Sequence, residues 1–277
     1  MIDLHAHTTA SDGRSTPTEL MFQARDAGVT VLGLTDHDTV AGWDEAAGHV
    51  AATGVSLVRG MEVSARIDGI SVHLLAYLFD PRDPALVRHG QTMLQARLGR
   101  ARQMVERIGR DYPLTWEAVQ ALSGPEVPVG RPHIADALIG LGVVGSRDEA
   151  FARFLTPACP YYVGHYAPRA ADVVEWVNAA GGKVVFAHPT AAARGHTASL
   201  AQIEELADAG LFGLEIDHRD NADVDQLVKL ARRRGLVRTG SSDYHGSGKA
   251  NRLGENVTSP RAYEALISGC FLEVLVP

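Results

Sequence analysis

The chain is poor in cysteine, lysine and aromatic residues, and it lacks any long apolar run. Its two cysteines, Cys159 and Cys270, exclude a disulfide framework. A reducing, cytoplasmic setting is therefore expected. Lysine occurs only at Lys183, Lys229 and Lys249, so arginine carries most of the positive charge. We read that bias as genome composition rather than chemistry. No stretch of about 18 apolar residues is present, which argues against a membrane-spanning helix. No basic-then-apolar leader follows Met1, so no secretory signal is expected. Acidic residues outnumber basic ones 33 to 26, for a net charge of -7. That balance argues against a large nucleic-acid surface and is compatible with a local basic site.

Short apolar runs alternate with helical patterns. Strands are expected at Ile2–Leu4, Val29–Leu34, Ser56–Met61, Ile70–Tyr77, Lys183–Phe186, Leu211–Ile216, Leu236–Thr239 and Phe271–Val276. Helices are expected at Thr18–Ala27, Val40–Ala52, Ala170–Ala180, Leu200–Ala209 and Asp223–Arg234. The first has its own start and stop signals: Thr16 as N-cap, Pro17 in the first turn, Glu19 to complete a capping box, and Gly28 beyond the end. The alternation predicts an α/β fold with a largely parallel sheet, open or closed. It breaks between residues 82 and 167. There Leu94, Leu98, Ala101, Val105 and Ile108 recur at helical spacing. Shorter helices are expected near Thr115–Leu122, Pro132–Leu141 and Arg147–Phe154. The expected organisation is a domain of residues 1–81 and 168–277 carrying a helical insertion, 82–167. Arg97, Arg100, Arg102, Arg107 and Arg110 crowd one insertion helix. They read as a solvated face, with a phosphate-attracting rim as the sharper alternative.

Twelve histidines are the abnormal feature. His5-Ala6-His7 places two imidazoles on one side of an extended strand, and Asp12-Gly13 adds an oxygen ligand on a flexible turn. Thr35-Asp36-His37-Asp38, Gly60-Met61-Glu62, Val72-His73-Leu74, Ala187-His188-Pro189 and Ser242-Asp243-Tyr244-His245 follow, each at or near a strand end. Charged groups at the C-terminal ends of strands are unfavourable unless they bind something, and such ends are where α/β folds collect their sites. His5, His7, Asp12, His37, Glu62, His73, His188, Asp243 and His245 form a mixed imidazole and carboxylate set suited to Zn, Mn or Fe. Nine ligands fit two or three ions. Closely spaced ions acidify water and clamp the attacking and leaving oxygens of an in-line displacement, which points to phosphate-ester hydrolysis.

This ordered set of motifs, spread over nearly the whole chain, resembles the PHP (polymerase and histidinol phosphatase) family of metal-dependent phosphoesterases. The resemblance implies a distorted seven-stranded β/α barrel with a trinuclear site holding Mn, Fe or Zn, Mn foremost. It groups His5, His7, Glu62 and Asp243 on one ion, Glu62, His73 and His188 on a second, and Asp12, His37 and His245 on a third. Gly130-Arg131-Pro132-His133 resembles a motif of the stand-alone members with an inserted helical domain. By that resemblance Arg131 and His133 bind substrate phosphate. His218 is expected at the scissile phosphate or leaving group, although Asn221 stands where relatives often have a second His. Asp36 is expected to orient a ligand histidine or relay a proton. His49, His89, His165, His196, Lys249 and Arg252 match no motif and are read as surface or loop residues.

The implied function is hydrolysis of nucleotide phosphate monoesters by a metal-activated hydroxide. The candidate substrates are a 3',5'-nucleoside bisphosphate, AMP or short 5'-phosphorylated RNA. Three rivals are weighed. A phosphatase of a non-nucleotide such as histidinol phosphate is disfavoured by the Arg-Pro-His motif. A C–N hydrolase is disfavoured because no lysine closes a strand. A non-catalytic metal-binding module is disfavoured because all nine ligand positions are filled. The sequence leaves oligomeric state open.

Overall fold

The computed structural model describes residues 1–123, 129–156, 158–164, 166–192 and 195–277. They divide into two compact units, Met1–Val87 with Ala167–Pro277, and Arg88–Tyr166.

The first unit is built on seven strands: β1 (Ile2–Ala6), β2 (Val31–Leu34), β3 (Ser56–Ile67), β4 (Ile70–Tyr77), β5 (Lys183–Phe186), β6 (Gly213–Asp217) and β7 (Val237–Gly240). They pair in sequence order in one sheet. The first three and last three are parallel, but β4 runs antiparallel to both its neighbours. The sheet is thus mixed rather than largely parallel. The cause is local. Asp68-Gly69 joins β3 to β4, and both residues have positive φ, 47° and 85°. That is the two-residue turn of a tight hairpin, which permits only an antiparallel partner. Beyond β7, Tyr244 bridges Ala6, and His7 N–H donates to Tyr244 O at 2.8 Å. The last strand thereby returns to the first, and the sheet is nearly closed into a barrel.

Helices α1 (Pro17–Asp26), α2 (Trp43–Ala47) and α3 (Val50–Thr53) occur in the first half of this unit. The expected helix Val40–Ala52 divides in two around Gly48. α1 has the capping box of Thr16 and Glu19 that the sequence signals. The outward side chains of the strands pack with the helices in one large core that includes Leu32, Leu34, Val63 and Leu214. The inward ones, Leu4, Val58, Leu75, Tyr77 and Val185, fill the barrel interior. Each such side chain contributes about 1.5–3 kcal/mol on burial. Tyr77 Oη–H donates to Leu4 O at 2.9 Å and ties β4 to β1. Phe271–Val276 is not a strand. Below Gly60, where β4 has ended, the β3 edge bridges Leu275 through Leu57 and receives Leu78 N–H on Arg59 O at 3.0 Å.

The second unit is helical. α4 (Pro84–Ile108) enters it and begins earlier than expected; α5 (Trp116–Ser123), α6 (Arg131–Gly140) and α7 (Arg147–Ala150) follow, the last continued by a π turn over Phe151–Leu155. Met104, Val105, Ile108, Val119, Ile134, Leu138 and Phe154 form its core. The described arginines of α4 are not simply a solvated face. Arg100 Nε donates to Val163 O at 2.7 Å and Arg107 Nη1 to Tyr162 O at 2.6 Å. Both fasten the segment leading out of the unit. The side chains of Arg97 and Leu98, and all of His165, lie outside the described residues.

The first unit resumes with α8 (Ala170–Ala179), α9 (Leu200–Asp208), α10 (Val224–Arg234) and α11 (Pro260–Ile267). Ser259 caps α11 and Pro260 opens it, start signals that the sequence reading left unused.

Candidate metal centre

The register of β1 on β2 shifts between Asp3 and Ala6. Such an irregularity re-aims a strand. Leu4 packs into the barrel interior, yet His5 and His7 beyond it also face inward, toward Glu62 of β3. His5 Nε2, His7 Nε2, Glu62 Oε2 and Asp243 Oδ1 gather closely. The separations that the two imidazoles make are His5–His7 3.0 Å, His5–Glu62 3.1 Å, His5–Asp243 3.3 Å, His7–Glu62 3.0 Å and His7–Asp243 3.1 Å. A tetrahedron with such edges has its centre about 2 Å from each vertex, the length of a bond from a divalent ion to nitrogen or oxygen.

Hydrogen bonding explains why these atoms need a cation between them. Glu215, buried in β6, receives His5 Nδ1–H at 2.9 Å and the His188 backbone N–H at 2.9 Å. With Nδ1 donating, a neutral His5 turns the lone pair of Nε2 toward two carboxylate oxygens. Protons can supply the missing positive charge in place of metal. Burial alone would depress the His5 imidazole, but Glu215, Glu62 and Asp243 outweigh it and hold its pKa well above the ordinary value. Burial likewise works against His7, yet hydrogen bonds to Asp243 and Glu62 raise it to about 9. Glu62 is pulled well down despite its burial, chiefly by His37, His5 and His73, and Asp243 by His5 and His7.

Glu62 serves two sides. Its Oε2 faces the set just described, while Oε1 lies 3.0 Å from His73 Nδ1 and 3.2 Å from His188 Nε2. His37, Glu62 and His73 form a second group of potential ligands. The third is looser. Asp12 Oδ1 lies 3.2 Å from His245 Nε2 and 3.8 Å from His7 Nδ1, and Asp12 Oδ2 lies 3.9 Å from His37 Nε2. His245 Nδ1 is turned to Asp243 O at 2.9 Å, which directs the other nitrogen at Asp12. Burial, opposed by Glu62 and reinforced by His7 and His73, pushes His37 down to about 3, so it is neutral and able to ligate at ordinary pH. The structure therefore brings all nine candidates around Glu62 and Asp12.

The backbone is strained where these residues emerge. Asp38, His188 and Asp243 all have positive φ, 53°, 30° and 53°. Residues in this region are held there by their surroundings and cluster at functional sites. A Cβ on Gly13 would come within 2.5 Å of His7 O, so only glycine lets the Asp12 loop approach β1 this closely.

Asp36 departs from expectation. Its carboxylate accepts from Thr8 N–H (2.7 Å), Thr8 Oγ1 (2.7 Å) and Ser11 Oγ (2.6 Å). Among the described residues no histidine hydrogen-bonds to it, so it secures the Thr8–Ser11 loop rather than a ligand ring. The polar partner of a ligand ring is Glu215, which the sequence reading missed because it sits inside an apolar strand. Asn221 is also a clamp: its Oδ1 accepts from Thr190 N–H at 3.0 Å and its Nδ2 donates to Glu215 O at 2.8 Å. It thereby locks the loop after His188 to β6. His218 is buried, accepts Asp220 N–H on Nδ1 at 3.1 Å, and holds Nε2 3.8 Å from Asp243 Oδ2. When neutral it therefore carries its proton on Nε2.

Of the residues read as surface, His89 is buried at 4% exposure; Lys249 is exposed as expected, and its Nζ donates to Asp243 Oδ2 at 3.2 Å. His49 lies tilted against Phe22, ring centres 5.7 Å apart, and the exposed His196 lines a cavity together with His73 and His188. Arg131 and His133 lie in the second unit. Arg131 Nη1 donates to Leu155 O at 3.2 Å with its guanidinium 5.4 Å from the Phe151 ring centre, and His133 Nδ1 accepts Gly130 N–H at 3.0 Å.

Residues 3–112 match the PHP domain model. The chain is 35% identical over 260 residues to the 3',5'-nucleoside bisphosphate phosphatase of Chromobacterium violaceum, covering 91% of this chain and 89% of that one. It is 35% identical over 188 residues to a 5'-3' exoribonuclease of Haemophilus influenzae, covering 68% of each. Among solved structures, a presumed metal-dependent phosphoesterase from Bifidobacterium adolescentis superposes with a TM-score of 0.83 at 39% identity, covering 96% of this chain and 94% of that one.

Proposed function

The chain belongs to the PHP domain family of metal-dependent phosphoesterases, and from that premise we propose that it removes phosphate from nucleotides. A 3',5'-nucleoside bisphosphate is the leading substrate, with AMP and short 5'-phosphorylated RNA as lesser ones. The observation that carries this reading is Glu62, whose two carboxylate oxygens each face a separate group of imidazoles. A bridging carboxylate between paired ions is the arrangement that in-line phosphoryl displacement uses.

His5, His7, Glu62 and Asp243 would hold one ion, Glu62, His73 and His188 a second, and Asp12, His37 and His245 a third. Mn suits this donor set, as do Fe and Zn. Bound ions supply an acidified water as nucleophile and positive charge for the phosphoryl oxygens. Glu215 fixes the His5 tautomer, and Asn221 fixes the loop that presents His188. His218, with its proton on Nε2, would donate a hydrogen bond to the leaving oxygen. We carry Arg131 and His133 forward as substrate-phosphate contacts. Arg131 is preorganised by its bond to Leu155 O and its place over Phe151, so little side-chain freedom is lost on binding.

The test is phosphate release by Mn-loaded protein from adenosine 3',5'-bisphosphate, AMP and a short 5'-phosphorylated RNA, with His188→Ala as control. Release from the bisphosphate well above AMP, lost in the control, is expected. Silence on all three with Mn confirmed bound would overturn the nucleotide reading and redirect the search to amino-alcohol or sugar phosphates.

A further inference from the structure

On the side of β4 that faces β5, pairing stops before the strand does. β5 opposes β4 as far as Leu74, which faces Phe186, and Ala187 N–H donates to His73 O at 3.1 Å. The chain then leaves the sheet: His188 has a φ of 30°, and Pro189 has no N–H to donate. Backbone groups two residues apart on a strand point to the same edge. Ser71 therefore turns its N–H and C=O to the edge that β5 has left.

A cavity of about 120 Å³ lies at that edge, between β4 and the loop that follows His188. Val72, Phe186, Ala191 and Ala198 are its buried apolar walls, and Ser71, His196 and Thr197 its more accessible rim. His73 and His188 line it as well. Those two imidazoles hold Nδ1 and Nε2 against the same Glu62 oxygen, so the cavity adjoins the ligands proposed for the second ion. Among the described residues that line it, none is Asp, Glu, Lys or Arg. A second phosphate would find no fixed charge on these walls. A flat, largely apolar ring finds apolar walls, a main-chain donor and acceptor, and space of the right order, since an apolar cavity of about 150 Å³ takes a benzene ring. Mostly apolar walls with a few polar groups are the usual make-up of a small-molecule site.

We propose that this cavity receives the nucleobase of the substrate and that His196 is its specificity-determining residue. The ligand chemistry is a planar nitrogen heterocycle joined through a sugar to the reacting phosphate. One edge of the heterocycle enters the cavity and meets the Ser71 main chain, while the His196 imidazole at the rim stacks on its face, as aromatic side chains do on unpaired bases. Ser71 stands one strand step, about 6.8 Å, from His73, so base and ester occupy neighbouring places along β4. The inference rests on the nucleotide-phosphatase reading above. It names the part of the substrate that tells a nucleotide from a simple sugar phosphate.

The experiment compares wild type, His196→Ala and His196→Phe, all Mn-loaded, on AMP and ribose 5-phosphate, which lacks the base. The readout is the ratio of the two kcat/KM values, AMP over ribose 5-phosphate, with kcat and KM resolved separately. Wild type should favour AMP at least about tenfold. In His196→Ala the ratio should fall about fivefold to a hundredfold, the range for losing one stacked base, through a higher KM for AMP. His196→Phe restores a stacking face without a hydrogen bond and should recover most of it. Calorimetric affinity for adenosine alone should follow the same order. His196 is exposed, so neither change should alter the fold. A wild type that hydrolyses AMP and ribose 5-phosphate equally well would overturn the proposal. So would a His196→Ala ratio within about twofold of wild type, or a His196→Phe no better than His196→Ala. A wild type inactive on both AMP and adenosine 3',5'-bisphosphate would instead overturn the functional reading, and the proposal with it.

Discussion

The two units use histidine and arginine in opposite ways. In the barrel, imidazoles and carboxylates converge with lone pairs facing one another, and the backbone at Asp38, His188 and Asp243 is strained. In the helical unit, Arg100 and Arg107, which have no proposed substrate role, each end on a backbone carbonyl. The first arrangement leaves room for a cation among its donors, and the second satisfies itself. Polar residues in a fold are functional candidates when their partners are mutually repulsive, and structural ones when their partners are orphan carbonyls.

Substitutions can break that contrast. Glu62→Gln should have the largest catalytic effect, at least about 10³-fold in kcat with loss of bound Mn, because it removes the charge between two ligand groups; steady-state rates and metal analysis check it. Phe154→Ala should cost about 3–5 kcal/mol of stability by opening the helical core while leaving Mn content unchanged. Denaturant titration and metal analysis separate the two. Glu215→Gln keeps size but weakens the bond that sets the His5 tautomer, and should lower Mn affinity about 10–100-fold. Chelator competition measures this without reference to activity.

The pH response sharpens the same contrast. In metal-free protein His5 and His7 have raised pKa values, so the stability they contribute is complete below the unfolded value of about 6.5 and is lost as pH rises through about 9 for His7. Glu62 and Asp243 are depressed, so their contribution is present above about pH 4.5 and is lost as pH falls through their lowered values. The thermal midpoint with chelator should therefore fall by several degrees between pH 6.5 and 10. Saturating Mn should abolish that fall, because the ion replaces the protons. A chelated protein whose midpoint holds steady across the range would contradict this assignment.

Much of the barrel was legible because charged residues at strand ends are costly and therefore visible. His5, His37, Glu62, His73 and His188 interrupt or closely follow short apolar runs. Glu215 was not legible: one carboxylate inside Leu214-Glu215-Ile216 has no partner in sequence, since His5 is 210 residues away. Asp68-Gly69 carried a hairpin signal that the alternation of strand and helix concealed, and so the antiparallel β4 was missed. Arg102 and Arg110 lie on the solvated face that was expected, but Arg100 and Arg107 do not, for a related reason. The partners of the latter two are main-chain carbonyls, which leave no trace in residue type.

The most direct test of the central assignment is electron paramagnetic resonance of the Mn-titrated protein, wild type beside Glu62→Gln. If Glu62 joins two ions, wild type at saturation should show an exchange-coupled spectrum, and the variant only uncoupled Mn. A wild type that saturates with uncoupled Mn alone, while releasing phosphate from the bisphosphate, would contradict a bridging Glu62.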